Sequence, residues 1–255
     1  MAEQKFTIPT EMIDLPSQGL VYEKENELSS GKVEMKYMTA KEEDILTNMN
    51  LLRKGTAIEE ALKSLIKSKI NYEDLLIGDR NGLMIAARIL GYGKDYTFKY
   101  ANPRTGEEEP ITIDLQDLKY KEIDLSIFNN KNEFEFVLPF SKNTVTFKLL
   151  SVSDDRKIDE EVKGLKKALG SEVGLLSTRL KHQILSVNGD YSTKSIRDFV
   201  DQGYLLAKDS IELRKYMARI TPDIDTKISF TTRDGSEVEI DMPMSADFFF
   251  PGSGL

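Results

Sequence analysis

The stretch that most constrains this chain is residues 78–96, GDRNGLMIAARILGYGKDY, because apolar side chains surround its middle. A helix that is apolar on every side is a buried helix, and this one is far shorter than the ~20 residues that span a bilayer. Asp79 is expected to cap its start, and Gly91 or Gly93 to end it with a positive φ. Burying its four largest apolar side chains contributes roughly 6–12 kcal/mol before the entropic cost of ordering them. We therefore predict that this helix is the pillar of an N-terminal core.

The composition describes a folded, acidic protein. The 255 residues are 40% hydrophobic, which suffices for a packed core, and the net charge of -8 argues against a nucleic-acid or anionic-lipid partner. The absence of cysteine excludes disulfides, thiolate chemistry and cysteine-based zinc sites. The first residues lack the basic-then-apolar pattern of a signal peptide, and no run approaches the ~18 apolar residues of a membrane span. We expect neither a membrane nor a nucleic acid among its partners.

The first part of the chain alternates between extended and helical patterns. The turn at Pro16 to Gly19 fits an extended arm, and the Thr39 and Glu42 pair has the spacing of a capping box. The patterns predict an arm at residues 6–22, a strand at 32–38, and helices at 39–53 and 58–68.

Period-2 alternation replaces the helical spacing in three later stretches. It predicts β-hairpins at residues 96–115, 134–149 and 224–242, the last with a strong turn signal at Asp234-Gly235. Between the second and third hairpins, apolar residues recur every three or four positions, which predicts that residues 153–221 are nearly all helical.

Helices and strands thus occur in blocks, which favours an α+β fold. We predict an N-terminal helical core with β-hairpins, a mostly helical second half, and a C-terminal β-hairpin. The expected regions are an extended arm and strand (1–38), an α+β domain with two hairpins (39–150), a helical region (151–222), and a C-terminal hairpin with an aromatic tail (223–255).

No catalytic constellation is recognisable. Walker A and Gly-x-Ser-x-Gly patterns are absent, and Gly91-Tyr92-Gly93 follows a predicted helix and lacks the third glycine of a dinucleotide site. The single histidine, His182, has no obvious orienting partner and is interpreted as structural. The sequence therefore predicts no enzyme, no cofactor and no metal ligand.

Three acidic clusters provide the rival interpretation. Residues 42–44, 154–155 and 159–161 lie at or near predicted helix starts, where negative charge complements the helix dipole. A carboxylate-based, metal-dependent enzyme would instead need such residues to converge in one cleft. EF-hand ligand spacing is absent.

Both ends of the chain carry hydrophobic residues that an isolated arm or strand cannot bury. They either fold back on the chain's own core or anchor in the pocket of a partner, and the sequence leaves both alternatives open. As candidate partner-binding residues we take Leu15, Pro16, Leu20 and Tyr22 in the arm, and Phe248, Phe249, Phe250 and Pro251 in the tail.

Several stretches together resemble a known family. They are, in order, LPSQGLVY at residues 15–22, MTAKEED at 38–44, GDR at 78–80, GYG at 91–93, and FFFP at the C-terminal end. This ordered set is similar to the baseplate hub proteins of T-even-like contractile-tailed bacteriophages. It covers mainly the first 115 residues and the extreme C-terminus.

The resemblance implies a non-catalytic structural protein of the virion tail baseplate, assembled in the host cytoplasm. It implies contacts with hub, spike, tube or wedge subunits and multiple copies in a symmetric assembly. We predict that the arm and the tail make these contacts. A hub assembly chaperone that is not retained in the virion is the alternative. Some similar proteins carry cysteine pairs in the hairpin at residues 100–106, but this chain has none, so no metal role is carried over.

Overall fold

The computed structural model, which describes residues 7–169, 174–244 and 246–249, has the predicted α+β fold. Its sheets are small and antiparallel, with strand orders β1-β2, β3-β4, β5-β6-β7 and β8-β9. The strands are β1 (Thr10–Asp14), β2 (Lys32–Lys36), β3 (Asp95–Ala101), β4 (Glu108–Asp114), β5 (Phe134–Val137), β6 (Thr144–Phe147), β7 (Ile184–Val187), β8 (Lys227–Thr231) and β9 (Glu237–Asp241).

The helices account for most of the remaining regular structure. They are α1 (Ala40–Leu46), α2 (Met49–Lys54), α3 (Ala57–Leu65), α4 (Ile77–Tyr92), α5 (Val152–Leu169), α6 (Leu175–Gln183), α7 (Thr193–Asp201), α8 (Ala207–Ile220) and the short α9 (Ala246–Phe249). Across the described ranges, none of them combines the length and the apolar character that a membrane crossing requires.

Helix α4 is the buried pillar that its sequence predicted, and Leu83 within it is fully buried. Gly93 ends the helix with φ +83°, as expected for a glycine stop. The prediction that Asp79 caps the start was wrong, because Leu76 occupies the N-cap position and Asp79 lies inside the first turn. Its carboxylate instead binds the arm, as described below.

The helix predicted over residues 39–53 is broken into α1 and α2. The side chain of Asn48 accepts hydrogen bonds from the backbone N–H groups of Asn50 and Leu51, at 2.9 and 3.3 Å, and so begins a new helix. The predicted single helix was wrong because a short polar side chain competes with the helical backbone for its N–H groups.

Helical structure in the second half is interrupted by strand β7. The prediction that residues 153–221 are nearly all helical was wrong at 184–187, which pair with β6 in the register Val145 opposite Val187. Buried Ile184 and Val187 fit a pleated surface, and the neighbouring strand, distant in sequence, decides between strand and helix.

The three predicted hairpins are confirmed as β3-β4, β5-β6 and β8-β9. Between β8 and β9, Gly235 adopts φ +81°, the left-handed conformation that the Asp-Gly turn signal predicted. The strand predicted at 32–38 had no evident partner in the sequence, and the structure supplies one: β2 pairs with β1 from the arm.

Two hydrophobic clusters share helix α4. The first joins the arm, α4, the β5-β6-β7 sheet and α8, and includes Leu15, Leu83, Phe147 and Leu213. The second joins α1, α4, the two other hairpins and the tail, and includes Ile85 and Phe248. Side chains from all four predicted regions therefore contribute to these clusters. The predicted region boundaries after residues 38, 150 and 222 stay a prediction.

Candidate functional site

The arm is fastened to the start of α4 by a buried carboxylate. Asp79 accepts hydrogen bonds from the backbone N–H of Ser17 at 2.9 Å, the hydroxyl of Ser17 at 2.7 Å and the hydroxyl of Tyr22 at 2.5 Å. The Tyr22 hydroxyl in turn accepts the N–H of Leu76 at 2.9 Å. Burial raises the pKa of Asp79 and, together with the neighbouring carboxylate, the pKa of Tyr22. Two of the stretches that carried the resemblance, 15–22 and 78–80, thus meet in one network.

Glycines allow the close approach of segments at this junction. A Cβ on Gly78 would lie 1.8 Å from the carbonyl oxygen of Pro222, and a Cβ on Gly82 would lie 2.9 Å from Cδ of Pro16. Neither glycine has a positive φ, so the backbone conformation does not require glycine at these positions. Glycine fits because the neighbouring segments leave no room for a Cβ atom. The start of α4 is therefore packed directly against the arm and against the chain that follows α8.

A second buried carboxylate joins β2, α1 and α3. Glu42 accepts hydrogen bonds from Lys36 Nζ at 2.7 Å, Ser64 Oγ at 2.6 Å and both the hydroxyl and the N–H of Thr39, at 2.6 and 3.0 Å. In a capping box the glutamate side chain accepts a hydrogen bond from the N-cap N–H, and the bond from the Thr39 N–H to Glu42 is that contact of the predicted box. Burial opposes ionisation of Glu42, but these donors outweigh it and lower its pKa to about 2.

The aromatic tail lies in the second hydrophobic cluster. Phe248 is fully buried, with its ring edge-to-face against Tyr96 at a centroid distance of 4.9 Å and against Phe249 at 4.8 Å. The Arg88 guanidinium lies 6.0 Å from the Phe248 ring centroid and donates to the carbonyl of Gly93 at 3.0 Å. Phe248 and Phe249 therefore fold back onto the chain's own core, which is one of the two alternatives stated for the tail.

The candidate arm residues are mostly internal as well. Leu15, Pro16 and Tyr22 are buried, and Leu20 is half-buried. Phe250 and Pro251 lie outside the described residues. The structure thus brings the arm candidates together beside α4 and places Phe248 and Phe249 in a different cluster, and their contact with a partner stays a prediction.

The tips of the β3-β4 and β8-β9 hairpins are joined by polar side chains. Asp234 in the β8-β9 turn accepts hydrogen bonds from Asn102 Nδ2 and Arg104 Nε in the β3-β4 loop, both at 3.0 Å. Its other oxygen accepts from the Thr232 hydroxyl at 2.6 Å. These donors lower the pKa of Asp234, with Thr232 and then Arg104 as the main causes. Polar side-chain contacts hold the two tips together.

The acidic clusters do not converge. Asp154 is paired with Lys148 at 2.6 Å in the first turn of α5, and Glu161 lies 3.0 Å from His182. Glu42 is engaged elsewhere, in the network beside β2. Within the described ranges, no three His, Cys, Asp or Glu side chains are grouped so that they could hold a metal ion. The clusters act locally, as helix-start charges and ion-pair partners.

Sequence reasoning did not predict strand β1 within the arm. Its Met12 side chain is 55% exposed. No period-2 alternation marks residues 10–14, because the apolar residues Met12 and Ile13 are adjacent, and the prolines on either side favoured an extended arm with turns.

Comparison with known proteins adds one finding. The sequence model of a single family, described as "T4 bacteriophage base plate protein", matches residues 21–250. No curated protein and no solved structure matches the chain. The match covers far more than half of the 255 residues and includes Tyr22 and Asp79, the Glu42 network and the buried Phe248 and Phe249, but not Ser17. The chain therefore belongs to the T4 bacteriophage base plate protein family, which makes it a baseplate protein of the phage tail that interacts with other baseplate proteins.

Proposed function

We propose that this protein is a resident structural subunit of the baseplate hub of a contractile-tailed phage. It docks onto neighbouring hub, spike, tube or wedge subunits through its N-terminal arm and C-terminal tail, in several copies, after assembly in the host cytoplasm. Family membership supports the baseplate, and the hub position and the docking elements are our proposal.

The observation that carries the docking proposal is that strand β1 is exposed, although the arm residues that follow it are bound to the body of the protein. Leu15, Ser17 and Tyr22 tie the base of the arm to the body, so the strand before them is held in a defined place. Four of its five residues are exposed. A surface held rigidly and left uncovered is suited to binding with little loss of conformational freedom.

The tail has a more restricted part in this proposal. Because Phe248 is fully buried against Tyr96, it can reach a neighbouring subunit only by leaving that contact. Burial of the two phenylalanines contributes roughly 3–6 kcal/mol. For the tail to exchange onto a neighbouring subunit, contacts with that subunit have to replace this burial.

A structural role also agrees with how the titratable groups are used. Asp79, Glu42 and Asp154 are each engaged by donors that fasten one segment to another. We propose that the protein is not an enzyme. The carboxylate-based enzyme of the rival interpretation gains no support, since the described carboxylates lie in separate networks.

The test is the content of purified particles. Mass spectrometry of isolated baseplates and of complete virions is expected to find the chain in both, at a fixed ratio to other hub proteins. Presence in hub precursors but absence from virions would instead identify an assembly chaperone. Absence from isolated baseplates, complete virions and hub precursors would refute the structural role.

A further inference from the structure

The inner edge of β1 pairs with β2, and no strand among the described residues pairs with its outer edge. The ladder with β2 is bounded by the Tyr37 N–H donating to the Pro9 carbonyl at 3.1 Å and the Leu15 N–H donating to the Gly31 carbonyl at 2.8 Å. In an antiparallel pair, every second residue exchanges hydrogen bonds with the partner strand. Residues 9, 11, 13 and 15 therefore direct their backbone groups to β2, and Thr10, Met12 and Asp14 direct theirs away from it.

The free edge has a defined length. Beyond Asp14 it is closed, because the Asp14 carbonyl accepts a hydrogen bond from the Tyr120 hydroxyl at 2.7 Å. The backbone groups of Thr10 and Met12 have no hydrogen-bond partner in the part of the chain that the structure describes. On the N-terminal side of β1, the Ile8 side chain is 48% exposed.

Proteins block unwanted pairing at sheet edges with charged side chains, lysine above all, and with proline, bulges or a covering element. Of these features, the described residues provide β1 only with the charges of Glu11 and Asp14. β1 contains no lysine or proline, and its register with β2 runs without a bulge from Thr10 to Asp14. The backbone of Pro9 faces β2, so its missing N–H takes no hydrogen-bond donor from the outer edge.

We propose that β1 receives a strand from a different baseplate protein, which becomes the third strand of the β1-β2 sheet. The proposal rests on the structural role proposed above. In β1 the Asp14 carboxylate is already paired with Lys32 of β2 at 2.9 Å, whereas Glu11 is exposed on the face opposite to Met12. The incoming strand is therefore one that places an apolar side chain against Met12 and, on the other face, lysine or arginine beside Glu11. A second copy of β1 is a poor occupant, because it has no basic residue to offer Glu11.

The experiment uses proline to remove single backbone donors. In M12P an outward N–H is lost and the ladder with β2 is kept, whereas in E11P an inward N–H to Met35 is lost. M12V is the matched control, because it changes the side chain and keeps the N–H. Each full-length variant is supplied to phage that lack the protein. We expect M12P to melt like M12V but to enter baseplates at least about tenfold less, and E11P to melt at a clearly lower temperature.

A second measurement does not depend on virions. A peptide of alternating valine and lysine is added to the isolated chain, and hydrogen exchange of the Thr10 and Met12 amides is followed. We expect both amides to become protected, with no protection by a valine–glutamate peptide and none at Thr10 in M12P.

The outcomes separate the two proposals. If the wild-type chain is absent from baseplates but the lysine peptide protects the edge, the structural role fails and the strand-addition site stands. Normal entry of folded M12P into baseplates, or no protection by the lysine peptide, overturns the inference. A Met12-dependent dimer of the isolated chain would also overturn it, because the occupant would then be a second copy.

Discussion

The carboxylate of Asp79 lies 2.7 Å from the hydroxyl of Ser17, a residue 62 positions earlier in the chain. This contact connects the arm to the helix on which both hydrophobic clusters depend. Its consequence is that the arm, although extended, has a fixed base next to strand β1.

Replacing Asp79 with alanine is expected to destabilise the isolated protein by about 2–4 kcal/mol, because buried donors of Ser17 and Tyr22 lose their acceptor. D79N, which keeps the shape and one acceptor, should cost less. Urea unfolding of both variants measures the difference. D159A is the control, since Asp159 is exposed on α5, and it should remain within about 0.5 kcal/mol of wild type. Equal stabilities of D79A and D159A would contradict the role of the network.

Glu42 should make stability depend on pH in the acid range. Its pKa falls from an ordinary 4.5 to about 2 in the folded protein, so its contribution is complete above pH 4.5 and is lost as the pH falls toward 2. At neutral pH, E42Q is expected to cost about 3–5 kcal/mol, because Lys36 is left buried without its partner. The difference between wild type and E42Q should shrink as the pH is lowered through that window. Thermal unfolding from neutral pH downward checks both statements, and a difference that stays constant with pH would contradict the assignment.

Two glycine-to-alanine changes in helices should have opposite signs. G78A forces a Cβ against the Pro222 carbonyl and is expected to cost about 1–3 kcal/mol or more, through displacement of backbone. G164A, in α5, meets no atom within 4 Å and should stabilise by about 0.5–1 kcal/mol through helix propensity. Thermal unfolding of the pair gives the comparison. A neutral G78A would mean that α4 does not pack tightly against the segment after α8.

Phe248 is expected to be part of the core of the isolated chain. F248A should cost about 3–5 kcal/mol, because it opens a cavity beside Tyr96. F140A is the control, since Phe140 is 52% exposed, and it should cost no more than about 1 kcal/mol. Chemical denaturation of the monomer distinguishes them. A fully stable F248A would indicate that the tail contributes little to the monomer and that its phenylalanines serve another surface.

Much of the fold follows from local patterns. The apolar residues around the middle of 78–96 predicted α4, and alternation with Asp234-Gly235 predicted the last hairpin, because period and turn chemistry are properties of neighbouring residues. The hydrophobic residues of the arm and tail were also recognisable. Their environment was not, since a buried phenylalanine and a docking phenylalanine look the same in sequence.

By itself, then, the sequence determined the helices, the hairpins, the acidic surface and, through its ordered motifs, the resemblance to phage baseplate proteins. Tertiary structure alone decided that Asp79 binds the arm instead of capping α4, that residues 184–187 form a strand, and that Phe248 is internal. It also decided that β1 has one free edge. The physical reason is common to all four: each depends on a partner distant in the chain, and the local period of a segment carries no information about which distant segment will meet it.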